Sequence, residues 1–216
     1  MSGYIKWFEL SAAVMALLHW HRLKADVFIK HLAIVVIFIT AVEFSAYFMK
    51  YFHNFNTLYY NLFVEPLLFC LYGLAFFKGF KNAKHKKFAF SGAVAVVLIY
   101  YCTITIFDPY TYLNIIGYNL GALFIATLAI CKIAEVINYS EQPDYFKSPV
   151  IYMLLFIILY YLTTIPHFSV SFYFYLNKIK NSATVFLNYV NIFFNYALYT
   201  SFAITFLLWG QKKRLY

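Results

Sequence analysis

The sequence predicts an all-α, polytopic membrane protein. It reads as one transmembrane domain, residues 1–216, with seven transmembrane helices, the N-terminus outside and the C-terminus cytoplasmic. Three observations lead there. Hydrophobic residues make up 64% of the chain and charged residues 12%, too few charges to coat a soluble domain of 216 residues. The apolar residues gather in long runs, and ~20 residues at ~1.5 Å rise cross a ~30 Å hydrocarbon core. The basic residues lie between those runs, on alternate connections.

The spans are expected at about 4–20, 27–49, 57–78, 88–107, 115–137, 150–166 and 185–209. Lys6 and Glu9 interrupt the start of the first, and a second span follows at once, so it reads as a helix that stays rather than a cleaved signal peptide. His21-Arg22-Leu23-Lys24 forms a basic turn before the second span, and 50–56 links it to the third. The third, TLYYNLFVEPLLFCLYGLAFFK, carries Glu65 and Pro66 near its middle. Pro66 has no amide to give the carbonyl of Leu62, so that acceptor is expected to be left over and the helix to kink. The segment 78–87, KGFKNAKHKK, is the most basic in the chain. Asp108-Pro109-Tyr110 reads as a turn between spans four and five. The polar loop 138–149 precedes the sixth span, and GQKKRLY closes the chain after the seventh. Spans one and six sit at the short limit; without one of them the termini would share a side.

Orientation follows from the 17 Lys and Arg. Only Lys6, Lys50, Lys178 and Lys180 fall on the side of the N-terminus, and the rest cluster on the other side, so that side is cytoplasmic. The formal charge of +9 therefore reads as a topology signal and as contact with anionic headgroups, not as a nucleic-acid surface. The expected location is the inner (cytoplasmic) membrane, and the expected partners are the lipid bilayer, a small-molecule ligand and a cytoplasmic or membrane signalling partner.

Candidate site residues are the polar groups in the outer half of the spans. Glu43 and Glu65 are the deepest carboxylates, and at ~1.5 Å per residue their depths differ by only a few Å. A carboxylate at that depth costs at least a few kcal/mol, so it is expected to face the bundle interior. Asn61 stands one turn from Glu65, and Asn191 and Asn195 repeat the spacing on the seventh span. Asn119 and His167, with Asn188 and Tyr173, lie nearer the outer surface. Together they suggest a pocket for a cation, a proton or a small polar molecule, set against the alternative of interhelical glue. Glu65 is expected to hold its proton in the empty protein and to release it when a cation enters.

Other chemistry is weakly represented. Cys70, Cys102 and Cys131 lie in apolar runs without CxxC spacing. His19, His21 and His31 share one interface but match no zinc pattern, and His85 sits among lysines, so no metal and no cofactor are expected. No GxSxG is present. The 26 Phe and 22 Tyr rise together with Asn, Lys and Ile, so single aromatics carry no site evidence.

Two likenesses follow from particular segments. NLFVE at 61–65 is similar to NIFFN at 191–195, which would suit the three-plus-one-plus-three repeat of SWEET sugar transporters and KDEL receptors. The segments YYNLFVEPLLFCLYGLAFFK, KSPVIYMLLFIILYYLTTIPHF and LNYVNIFFNYALYTSFAITFLLWGQKK resemble a group of uncharacterised seven-helix integral membrane proteins of Bacteroidota. Asn61/Glu65, the stretch from Pro143 to Pro149, and Asn191/Asn195 occupy that group's marked places, with no Trp at the sixth entry. The resemblance implies topology and no activity. The functional expectation is a receptor-like or accessory protein that signals through the basic loop 78–87 and the tail 211–216. A small solute or ion transporter is the alternative, and an intramembrane enzyme the third reading.

Overall fold

A computed structural model describes residues 2–23, 26–49, 56–106, 113–139, 148–177 and 182–211. The turn expected at Asp108-Pro109-Tyr110, the loop residues 140–147 and the tail residues 212–216 lie outside these. All regular structure among the described residues is helical: α1 (Ser2–Leu18), α2 (Trp20–Leu23), α3 (Val27–Met49), α4 (Asn56–Tyr59), a π-helical segment (Tyr60–Val64), α5 (Glu65–Gly79), α6 (Ala83–Ile104), α7 (Ile115–Tyr139), α8 (Pro149–Leu176) and α9 (Ser182–Gln211).

Among the described residues six stretches are long and apolar enough to cross a membrane: Val27–Ala46, Thr57–Gly79, Ala83–Ile104, Ile115–Asn138, Pro149–Phe174 and Thr184–Trp209. The first expected span, 4–20, corresponds to α1, which has 17 residues and is not one of the six. Two boundaries differ most from the sequence reading. Helix α6 begins five residues early, because Asn82 accepts from the amide of Lys84 at 2.8 Å and caps a basic first turn that hydropathy alone would assign to a loop. Helix α8 continues through Pro166 to Leu176, since a bundle of neighbours tolerates an interior proline that would end a soluble helix.

The helices close into a ring. Each long element packs on its sequence neighbours, α9 returns to α1, and α5 also touches α7. Phe69, Tyr72, Phe76, Phe80, Phe202 and Phe206 are buried in the interior. Large apolar side chains such as Trp7, Leu18, Phe90, Leu98 and Phe193 point outward, a surface suited to lipid and costly in water. Small residues set the closest approaches. A Cβ placed on Gly73 of α5 would lie 2.6 Å from Cβ of Ala93 on α6, and one on Gly121 of α7 would overlap the ring of Phe69.

The third span is not a simple kinked helix. The amide of Glu65 reaches back to the carbonyl of Tyr60, the i→i−5 bond of a π turn, and Pro66 falls in the first turn of α5 where its missing donor does least harm. The leftover carbonyl of Leu62 accepts from the hydroxyl of Tyr101 on α6 at 2.8 Å.

One end of the ring is basic and is tied by a buried ion pair. On α7, Lys132 and Glu135 meet at 2.9 Å. Glu135 also accepts the amides of Lys81 (2.8 Å) and Asn82 (2.7 Å), while the Lys132 ammonium donates to the carbonyl of Gly79. The link between α5 and α6 is thereby fixed onto α7.

Candidate functional site

Midway along the bundle, α1, α3, α5, α7, α8 and α9 enclose a cavity of about 100 Å³. Its wall holds three carboxylates from three helices: Glu9 on α1, Glu43 on α3 and Glu65 on α5. Asn195 joins them from α9, with the tyrosines Tyr60, Tyr72, Tyr118, Tyr160, Tyr161 and Tyr199. Ile39, Val42, Val64, Leu68 and Leu198 complete it. No Lys, Arg or His lines the cavity among the described residues; Lys6, one turn before Glu9, interacts with that carboxylate from outside the wall.

The helices hold these groups firmly. Thr40 of α3 donates to the backbone carbonyl of Glu9 at 3.2 Å and to that of Val36 at 2.9 Å, fixing α1 against α3 beside the site. The π turn presents Tyr60 toward α3, where its hydroxyl donates to Glu43 Oε1 at 2.6 Å. Tyr72 and Tyr161 meet edge to face at 5.6 Å between centroids. Glu9 is 4% exposed and Glu65 7%, and Oε2 of each is buried without a hydrogen-bond partner among the described residues. Oδ1 of Asn195 is unpartnered in the same way. An orphaned buried oxygen is costly, and a donor or a cation would satisfy those of Glu9, Glu65 and Asn195.

The sequence-predicted residues divide. Glu43, Glu65 and Asn195 meet in the wall. Asn61 does not line it. Its Oδ1 accepts from the Tyr100 hydroxyl at 3.2 Å and from the Asn114 amide at 2.9 Å, and Asn114 in turn bonds the carbonyl of Tyr100 and the amide of Gly117 at the start of α7. Asn61 therefore joins α6 to α7. Asn119 donates to the Ser169 hydroxyl at 2.8 Å and ties α7 to α8. His167 is half-buried on α8 with its ring against Phe168, and Asn191 stands one turn from Asn195; neither lines the cavity. Asn188 and Tyr173 are exposed. Among the described residues no three His, Cys, Asp or Glu side chains form a metal-holding group, so Glu9, Glu43 and Glu65 line one cavity without forming a ready chelate.

Sequence reasoning missed Glu9 and the tyrosines. Glu9 had a usable signal, a carboxylate inside an apolar run, but beside Lys6 it reads only as an interruption at the start of the first span. The buried Lys132–Glu135 pair was also missed, because charges near the end of a span read as solvated.

No protein-family model, curated protein or solved structure matches this chain. The functional reading rests on the fold and the cavity.

Proposed function

We propose that this protein is a receptor-like, multi-pass protein of the inner membrane that binds a small cation, in exchange for protons, in the cavity between Glu9, Glu43 and Glu65. In this reading α1 is a seventh crossing helix of ~25 Å, short for the bilayer but packed between α3 and α9. The basic end is cytoplasmic, which puts the N-terminus outside and the C-terminus inside. The whole chain acts as one domain, of the kind suggested by its likeness to the Bacteroidota seven-helix proteins. A change at the cavity passes through the helices to a partner at the basic end.

The observation that carries this is the cavity wall: carboxylates from three helices, orphaned oxygens and, among the described residues, no basic side chain. Such a site is balanced electrically by protons or by an entering cation. Its size narrows the ligand further. At about 100 Å³ the cavity falls below the ~300–1,000 Å³ of pockets that take larger organic ligands, which favours a small ion. Toward the basic end the interior is filled by Phe69, Phe76, Phe80, Phe202 and Phe206, which favours a receptor over a conduit. The sequential ring also lends no support to two three-helix bundles bridged by a single helix.

The test is thermal unfolding of the purified protein in nanodiscs with sodium, potassium or ammonium chloride against choline chloride at equal ionic strength. A ligand that binds only the folded state raises the midpoint, and at about 100 times its Kd it adds ~2.7 kcal/mol. One of the small cations is expected to do so, more strongly as pH rises. Equal midpoints in all four salts would overturn the cation site. Flux of that cation in proteoliposomes would convert the reading to the transporter alternative.

A further inference from the structure

We propose that a second pocket, at the basic end of the ring, binds the phosphate headgroup of an anionic phospholipid. This pocket has a volume of about 320 Å³ and is more open than the acidic cavity. Three lysines reach its wall from two helices and a link: Lys78 at the end of α5, Lys81 just after it, and Lys132 on α7. The Lys132 charge is matched by Glu135, so the pair is neutral and serves to hold the link in place. Neither Lys78 nor Lys81 makes an ion pair among the described residues, and both are exposed.

One carboxylate, Asp26, also lines the pocket. Its Oδ1 accepts the amides of Phe28 (2.9 Å) and Ile29 (3.1 Å), so it caps α3 and its charge is partly met by the positive end of that helix. The balance at the mouth remains positive. The rest of the wall is amphipathic: the Ser148 hydroxyl beside Val27, Phe28, Val136, Val150 and Trp209. A soluble anion needs only the lysines. A lipid uses both halves, its phosphate on Lys78 and Lys81 and its glycerol and first methylenes on the valines, with Trp209 at the depth where tryptophans anchor to the interface. Basic pockets between membrane helices suit such headgroups. The inference rests on the membrane reading of the chain and not on the acidic cavity.

The experiment reconstitutes the protein in nanodiscs of phosphatidylcholine with and without phosphatidylglycerol. Lipid retained on release into the gas phase is read by native mass spectrometry. Phosphatidylglycerol is expected to be retained over phosphatidylcholine. Lys78→Gln/Lys81→Gln should weaken it roughly 30-fold, at ~1 kcal/mol per lysine near the surface. Lys86→Gln/Lys87→Gln removes the same charge outside the pocket and should leave retention unchanged. Equal loss in both double variants would overturn the site in favour of general charge attraction. Inorganic phosphate displacing the lipid at millimolar concentration, or equal retention of both lipids by the parent, would overturn the lipid assignment.

Discussion

The hydroxyl of Tyr101 donates to the carbonyl of Leu62 at 2.8 Å, the acceptor that Pro66 leaves without an amide. A side chain on α6 thus repairs a defect in the third span, and the repair sits beside the π turn that aims Tyr60 at Glu43. Tyr101→Phe is expected to lower stability by about 1 kcal/mol, the usual net value of one such bond. With Pro66→Ala present, the amide of residue 66 can serve Leu62, and the same substitution should cost less. Denaturation of the four proteins of this double-mutant cycle in one detergent checks it; equal costs in both backgrounds would show that Tyr101 does not serve the carbonyl freed by Pro66.

Asn61 is expected to act through folding alone. Asn61→Leu leaves the buried amide of Asn114 and the Tyr100 hydroxyl without their acceptor, a loss of about 1–3 kcal/mol. The stabilisation by a small cation, measured as a difference between salts, should be the same as in the parent. A variant of normal stability that no longer responds to the cation would place Asn61 at the site instead.

The ion pair at the basic end gives a third outcome. Glu135→Ala strands a buried ammonium and two backbone amides, and should cost about 3 kcal/mol or more. Lys132→Met/Glu135→Gln removes both charges while leaving an acceptor for Lys81 and Asn82, and should cost less than Glu135→Ala alone. Chemical denaturation monitored by Trp fluorescence measures both. A double variant less stable than Glu135→Ala would contradict the role assigned to the pair.

How far the chain could be read from its residues depended on the kind of signal. Long apolar runs are conspicuous, so the helices from α3 onward were legible, except where a cap at Asn82 or a tolerated proline at Pro166 moved an end. Glu43, Glu65 and Asn195 were legible because polar groups stand out in apolar spans. The π turn was not, because nothing in TLYYNLFVEP separates an i→i−5 bond from an ordinary turn before proline. Spacing put Asn61 beside Glu65, but spacing does not say that Tyr100 and Asn114 would take its oxygen. The tyrosines of the wall were hidden by abundance, since 22 are present and only their convergence distinguishes a few. Glu9 needed the packing of α1 between α3 and α9, a long-range contact with no local trace.

The most direct measurement is the cation dependence of thermal unfolding for Glu65→Gln and Glu65→Leu beside the parent. Gln keeps the shape of the protonated acid and cannot ionise, so it should fold about as well as the parent and lose the midpoint rise given by the small cation. Leu removes the oxygens as well and should also lose it, and Glu9→Gln should weaken it. If Glu65→Gln keeps the full cation-dependent rise, or if Glu65→Gln misfolds while Glu65→Leu folds normally, Glu65 is packing between helices and the cation site is wrong.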